Sequence, residues 1–173
     1  MNKIVILALQ RAISTEAVGH EFYRKAAAMV ADEKGKAVLM QLAKEENQHI
    51  AVLSALLDSA AKKGKWLTYE EACTLGEPLL DEIPVFTEEI GKKLSPDTTE
   101  RKILKTAMDV EEEAEKFYKN LAEQTDDNAG RSTLKRLAEM EKQHYNILKW
   151  EYDSVTASGF WCDIMEFSVE KEQ

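Results

Sequence analysis

Leu42-Ala43-Lys44-Glu45-Glu46-Asn47-Gln48-His49 and Leu137-Ala138-Glu139-Met140-Glu141-Lys142-Gln143-His144 are one phrase written twice, 95 positions apart. The same offset lays Ala12-Ile13-Ser14-Thr15-Glu16 on Ala107-Met108-Asp109-Val110-Glu111, and Phe22-Tyr23 on Phe117-Tyr118, with no gap between the matched blocks. Self-similarity at a fixed period is the mark of a duplicated structural unit. Here each unit has the composition and the 3.6-residue apolar period of two long helices.

Working outward, the periodicity predicts helices from about Asn2 to Val30, Asp32 to Lys63, Thr98 to Gln124 and Asp127 to Ser154. Asp32 and Asp127 are expected N-caps, each followed three residues on by a glycine. Turns this tight make each pair of helices an antiparallel hairpin. The hairpins are joined by a stretch of different character, from Gly64 to Asp97, that holds all three prolines, Pro78, Pro84 and Pro96. One short helix is expected there, near Tyr69–Cys73. A connection this long is unusual in a compact domain. It makes sense if it crosses the whole bundle, leaving the third helix parallel to the second. The predicted class is all-α, an antiparallel four-helix bundle over residues 1–155 with a long crossover between helices 2 and 3. Residues 156–173, with Gly159-Phe160-Trp161 and Phe167, are expected to be an extended tail packed outside the bundle or on a partner subunit.

Composition agrees with this and excludes other classes. The chain has 173 residues, enough for one domain, with 44% hydrophobic and 32% charged residues, so a core is available and disorder is not expected. A net charge of −9 argues against binding a nucleic-acid backbone. The apolar run Ile4–Leu9 is too short to span a membrane and meets Gln10-Arg11 without a cleavage-type site. Two cysteines, Cys73 and Cys162, form no CxxC pair and fit a reducing compartment, so a cytoplasmic protein is expected.

The chemistry lies in the repeat. Each half supplies one Glu from its first helix (Glu16, Glu111) and a Glu-x-x-His from its second (Glu46 with His49, Glu141 with His144). Residues three apart on a helix are separated by about 300° and 4.5 Å, so each pair shares a face. Apolar neighbours turn that face inward: Leu39, Leu42, Ile50 and Leu53 around the first pair, Leu134, Leu137 and Leu148 around the second. With 23 Glu in the chain, one Glu-x-x-His arises easily: any His has roughly a one-in-eight chance of a Glu three positions before it. Two pairs related by the shift that also matches two further glutamates do not arise so easily. Four carboxylates aimed at a core require something positive there. Two divalent cations supply +4 against the −4 of the four Glu, and carboxylates with one imidazole per metal suit iron or manganese better than zinc. The expected assignment gives Glu16 and His49 to one metal, Glu111 and His144 to the other, with Glu46 and Glu141 bridging or chelating.

Other residues carry weaker expectations. Tyr23 and Tyr118 follow Glu16 and Glu111 by seven residues. Each is either a hydroxyl bonded to a ligand carboxylate, or a local one-electron relay, or an ordinary core tyrosine. His20, Glu115, Glu45, Glu112 and Glu113 are expected on solvated flanks, and Met29, Met40, Met108 and Met140 in the core.

On the motifs Ala12-Ile13-x-x-Glu16…Phe22-Tyr23 and Leu42-Ala43-Lys44-Glu45-Glu46-x-x-His49, with their counterparts at Glu111, Phe117-Tyr118, Glu141 and His144, the sequence closely resembles the rubrerythrin group of the ferritin-like superfamily. The resemblance spans all four helices, and the Gly159-Phe160-Trp161 tail resembles short rubrerythrin-like proteins. It implies a di-iron oxidoreductase acting on hydrogen peroxide or dioxygen, with two iron ions (manganese or a mixed pair being the alternative) and at least a homodimer. Full-length rubrerythrins carry a rubredoxin domain with four cysteines. Its absence here implies an external electron donor such as a rubredoxin-like protein. They also carry an extra Glu three residues after the third-helix ligand, where this sequence has Ala114, with Gly19 as its repeat mate. The alternatives left open are an iron-oxidising or iron-handling protein and a di-iron hydroxylase of organic molecules, for which no apolar substrate stripe is visible in the sequence.

Overall fold

The computed structural model describes residues 3–77, 94–95 and 97–162. Among them are five helices and no strand: α1 (Lys3–Met29), α2 (Glu33–Lys63), α3 (Tyr69–Leu75), α4 (Glu100–Glu123) and α5 (Asn128–Ser158). Four long helices with one short one after α2 is the architecture expected. The three prolines and half of the crossover lie outside the described residues.

Local chemistry sets the helix ends. Asp32 accepts from the backbone N–H groups of Lys34 and Gly35 at 2.8 and 3.4 Å, and Asp127 accepts from Gly130 N–H at 2.9 Å. These satisfy donors that a helix start leaves orphaned. Thr68 forms a reciprocal capping box with Glu71 at the start of α3. At the far ends α2 and α5 stop at Gly64 and Gly159, both left-handed at φ 63° and 79°, a conformation that costs a residue with a Cβ.

Within each hairpin the helices run close together, α1 along α2 and α4 along α5. The two hairpins approach each other less closely, and side chains fill the space between them. That space has two apolar ends. One holds Leu9, Leu53, Leu56, Leu134, Leu137 and Trp66, and the other holds Phe22, Leu39, Leu42, Ile103, Leu148 and Trp161.

The duplication reaches further than the helices. Gly64-Lys65-Trp66 and Gly159-Phe160-Trp161 are also 95 positions apart, as are Gly35 and Gly130. Each tryptophan lies on the opposite hairpin: Trp66 covers Gly130 at the start of α5, and Trp161 covers Gly35 at the start of α2. Trp161 also donates its indole N–H to Glu100 at 2.9 Å. This corrects the expected tail. Helix α5 continues to Ser158, past the expected end of the bundle at 155, and Trp161 is buried in the core rather than packed outside. Phe160 is exposed, and Phe167 lies outside the described residues. Burying an indole removes a large apolar area from water and its N–H takes a partner, so the inward position wins.

The latch predicts a clear stability effect. A Cβ at Gly130 would sit 2.3 Å from Trp66, and one at Gly35 2.5 Å from Trp161. Gly130→Ala and Gly35→Ala are each expected to cost about 1–3 kcal/mol by overpacking. Because the sites are at opposite ends, the double variant should show the sum to within about 0.5 kcal/mol. Thermal unfolding of the three variants checks this.

Candidate metal centre

Between the two apolar ends lies a polar layer. Glu16 from α1, Glu46 and His49 from α2, Glu111 from α4, and Glu141 and His144 from α5 are all at most 3% exposed. The structure thus brings together all six residues expected to hold metal. Their donor atoms form two groups, each within 4.8 Å: Glu16, Glu46, His49 and Glu141, and Glu46, Glu111, Glu141 and His144. Glu46 and Glu141 belong to both. The two imidazoles stack with ring centres 5.4 Å apart, and both turn Nδ1 inward. His49 Nδ1 lies 3.0 Å from Glu141 and 3.6 Å from Glu16 and Glu46, and His144 Nδ1 lies 3.3 Å from Glu46, 3.4 Å from Glu141 and 3.8 Å from Glu111.

Those contacts are close, yet neither oxygen of Glu141 nor Nδ1 of His144 makes a hydrogen bond. Buried polar atoms are nearly always bonded, so this convergence of lone pairs needs an explanation. A cation between them supplies it, and the donor set, carboxylate-rich with one imidazole per group, fits iron or manganese.

Without a cation, protons carry the compensating charge. Burial, then repulsion from Glu141 and Glu46, pushes Glu16 well above its ordinary value; burial and Glu46 do the same to Glu111. Burial acts upward on Glu46 and Glu141 too, but the neighbouring Glu16 and the two facing imidazoles hold Glu46 down, and the charge of His49 holds Glu141 down. His144 would be lowered by burial, but the carboxylates of Glu111, Glu141, Glu45 and Glu46 hold it well above the ordinary imidazole value.

The tyrosines act across the bundle. Tyr23 on α1 donates its hydroxyl to Glu111 on α4, and Tyr118 on α4 donates to Glu16 on α1. Of the open readings, the bond to a cluster carboxylate is the one observed. Burial and the facing carboxylates push both phenols well above their ordinary range, so they remain protonated donors at neutral pH.

Several flanking residues are placed differently from expectation. Glu45 is fully buried, and its Oε2 accepts from His144 Nε2 at 3.0 Å. A carboxylate beside Glu46 looks solvent-facing on one helix; the acceptor it offers to the other hairpin reverses that. His20 is half-buried and its Nδ1 donates to the Ala43 carbonyl at 2.6 Å, tying α1 to α2 rather than meeting water. Met40 is exposed, while Met140 is buried. Glu112 and Glu113 are exposed as expected.

A cavity of about 340 Å³ opens between α1 and α4 and reaches Glu16 and Tyr118. Val18, Val110, Ala114 and Phe117 give it apolar walls, and Arg11 and Glu113 stand among its lining residues. Ala114, one of these walls, stands where the resemblance to rubrerythrins would place a glutamate. At its repeat mate, a Cβ on Gly19 would meet the Glu46 carboxyl at 3.6 Å. No helix among the described residues is long and apolar enough to cross a membrane.

Comparison with curated proteins gives no match. Among solved structures, this one is similar to a hypothetical protein from Pyrococcus furiosus, with 28% sequence identity, a TM-score of 0.64, and coverage of 88% of this chain and 90% of that one. The family model for rubrerythrin matches residues 8–152, which takes in the whole polar layer and most or all of each of the four long helices. The chain belongs to the rubrerythrin family, a ferritin-like di-iron family.

Proposed function

We propose that this protein is a di-iron oxidoreductase that reduces hydrogen peroxide, or dioxygen, with electrons from an external donor such as a rubredoxin-like protein. The observation that carries the reading is the pair of overlapping donor groups sharing Glu46 and Glu141, with buried lone pairs converging on them. In it Glu16 and His49 would hold one ion and Glu111 and His144 the other, with Glu46 and Glu141, which belong to both donor groups, bridging or chelating. Two bound ferrous ions supply the two electrons that, with two protons, convert one peroxide to two waters. The chain supplies the rest. Tyr118 and Tyr23 fix the terminal carboxylates Glu16 and Glu111 from across the bundle, so the ligand set is oriented in advance. The apolar ends exclude bulk water, and the cavity between α1 and α4 offers a path to Glu16. Tyr118 lines that path, and its protonated hydroxyl donates to Glu16. Two thiols with no disulfide between them fit a reducing, cytoplasmic setting, and the active form is taken to be a homodimer.

One observation favours a second reading. A cavity of about 340 Å³ is far larger than peroxide or dioxygen needs, and its mixed lining, with Val18, Val110, Ala114 and Phe117 beside Arg11, Ser14, Thr15 and Glu113, leaves room for a small organic molecule hydroxylated with dioxygen. Ferrous-loaded protein mixed anaerobically with one equivalent of peroxide separates the readings. Oxidation of two irons per peroxide, followed by turnover with an added reductant, is the expected result. Oxidation no faster than that of free ferrous iron would defeat it. Response to dioxygen alone would move the assignment to iron oxidation, or to hydroxylation if a phenol or quinone accelerates oxygen uptake.

A further inference from the structure

The lining of the cavity between α1 and α4 is graded from outside to inside. It runs from Arg11 to Val18 on α1 and from Val110 to Tyr118 on α4, about two turns of each helix or roughly 10–12 Å. Arg11 and Glu113 are exposed and form its rim, Val18 and Phe117 are half-buried, and Ala114 is buried. Glu16 and Tyr118, both buried side chains of the polar layer, complete it. Tyr23 reaches Glu111 while Tyr118 reaches Glu16, so α1 and α4 run antiparallel. The two charged rim residues consequently stand toward opposite ends, with Val18, Ala114 and Phe117 at the levels between them.

A volume of about 340 Å³ falls within the range of about 300–1,000 Å³ of small-molecule pockets. Hydrogen peroxide would leave most of that space to water, and as a small polar molecule it gains nothing from valine, alanine and phenylalanine. Those side chains favour a hydrocarbon group that leaves water against them. An organic hydroperoxide suits both parts of the lining. Its hydrocarbon group fills the apolar part while its O–O end reaches the level of Glu16, a carboxylate of the first donor group. A substrate for hydroxylation would have to share the space with dioxygen, whereas a hydroperoxide carries the oxidant within itself.

We propose that this cavity binds an organic hydroperoxide, ROOH, with R a compact aryl or branched alkyl group, and that the protein prefers it to hydrogen peroxide. This rests on the peroxide-reducing reading above and deepens it by naming the substrate class. The O–O bond breaks. With two electrons from the bound ferrous ions and two protons from solvent, the products are the alcohol ROH and one water, and the external donor returns the electrons. Val18, Ala114 and Phe117 determine specificity by holding R.

Cumene hydroperoxide and hydrogen peroxide are the probes, each mixed anaerobically with ferrous-loaded protein and each rate referred to that of free ferrous iron. Cumene hydroperoxide is expected to oxidise two irons per molecule, faster than hydrogen peroxide does, and to give cumyl alcohol. Ala114→Leu and Val18→Phe fill the cavity from different helices. Each should shift the rate ratio toward hydrogen peroxide by about 10-fold or more while two irons per chain stay bound. Iron and helix content are measured on both, so a variant that misfolds is recognised and the other carries the comparison. A second readout needs no iron. Cumyl alcohol should bind the metal-free protein saturably in calorimetry, with the largest amide NMR shifts in residues 11–18 and 110–118. Both variants should weaken that binding by about 10-fold or more. Faster oxidation by hydrogen peroxide, a rate ratio that neither variant changes, or no binding of the alcohol would overturn the proposal. Cumene hydroxylated with dioxygen, while its hydroperoxide reacts slowly, would overturn it too and give the cavity to hydroxylation. Bound iron that neither peroxide oxidises would instead bring down the peroxide-reducing reading itself, and the proposal with it.

Discussion

Glu141→Ala is expected to bind less than one metal ion per chain where the parent protein binds two. Glu141 is in both donor groups and lies 3.0 Å from His49 Nδ1 and 3.4 Å from His144 Nδ1. Removing it takes one ligand and one negative charge from both sites at once. Loss of outer-shell partners alone costs metal sites about 10- to 100-fold in affinity, so loss of a shared ligand should exceed about 100-fold. Glu16→Ala, which touches one group only, should leave one ion bound. Metal analysis after desalting, with circular dichroism to verify helix content, distinguishes these outcomes. Two ions retained by Glu141→Ala would remove it from the bridging role.

The second large effect is an inversion of the pH dependence of stability on loading. In the metal-free protein Glu16 and Glu111 are raised above the ordinary 4.5, and His144 above the ordinary 6.5. A raised group gives stability that is complete below its unfolded value and is lost as pH rises toward its folded one. Glu46 and Glu141 are lowered, so their contribution is present above 4.5 and lost as pH falls below it. The metal-free form should therefore be most stable near the ordinary carboxylate value of 4.5 and lose stability as pH rises from there through neutral and basic pH. Metal binding displaces those protons, so loading should release protons and strengthen with pH. At free metal about 100-fold above Kd the gain is about 2.7 kcal/mol, which for a chain of this size is roughly 5–10 °C in melting temperature. Melting curves of both forms from pH 5 to 8 should diverge as pH rises. Parallel curves would mean the cluster does not exchange protons for metal.

Much of this was legible in the sequence because it is local or repeated. The 95-residue offset, the capping aspartates and the apolar neighbours of Glu16, Glu46, Glu111 and Glu141 placed the helices and the polar layer. What escaped depends on what the other hairpin offers. Trp161 was read as a tail residue although Gly-x-Trp recurs at the same offset as everything else; its binding surface is Gly35, more than a hundred residues away. Glu45 broke the repeat, and a carboxylate one position from a ligand looks solvated until His144 supplies a buried donor. The tyrosine bonds were anticipated as a type of contact, but not as crossing from α1 to Glu111 and from α4 to Glu16. The cavity between α1 and α4 left no stripe in the sequence, because its walls come from two helices that each contribute only two or three apolar residues.

The most direct test of the central claim is iron content after anaerobic reconstitution and removal of unbound metal, measured with Mössbauer spectroscopy on the same sample. Two irons per chain in carboxylate- and imidazole-rich sites, falling below one in Glu141→Ala, is the predicted result. A parent protein that emerges without iron, and whose melting temperature iron does not change, would contradict the reading of this polar layer as a metal centre.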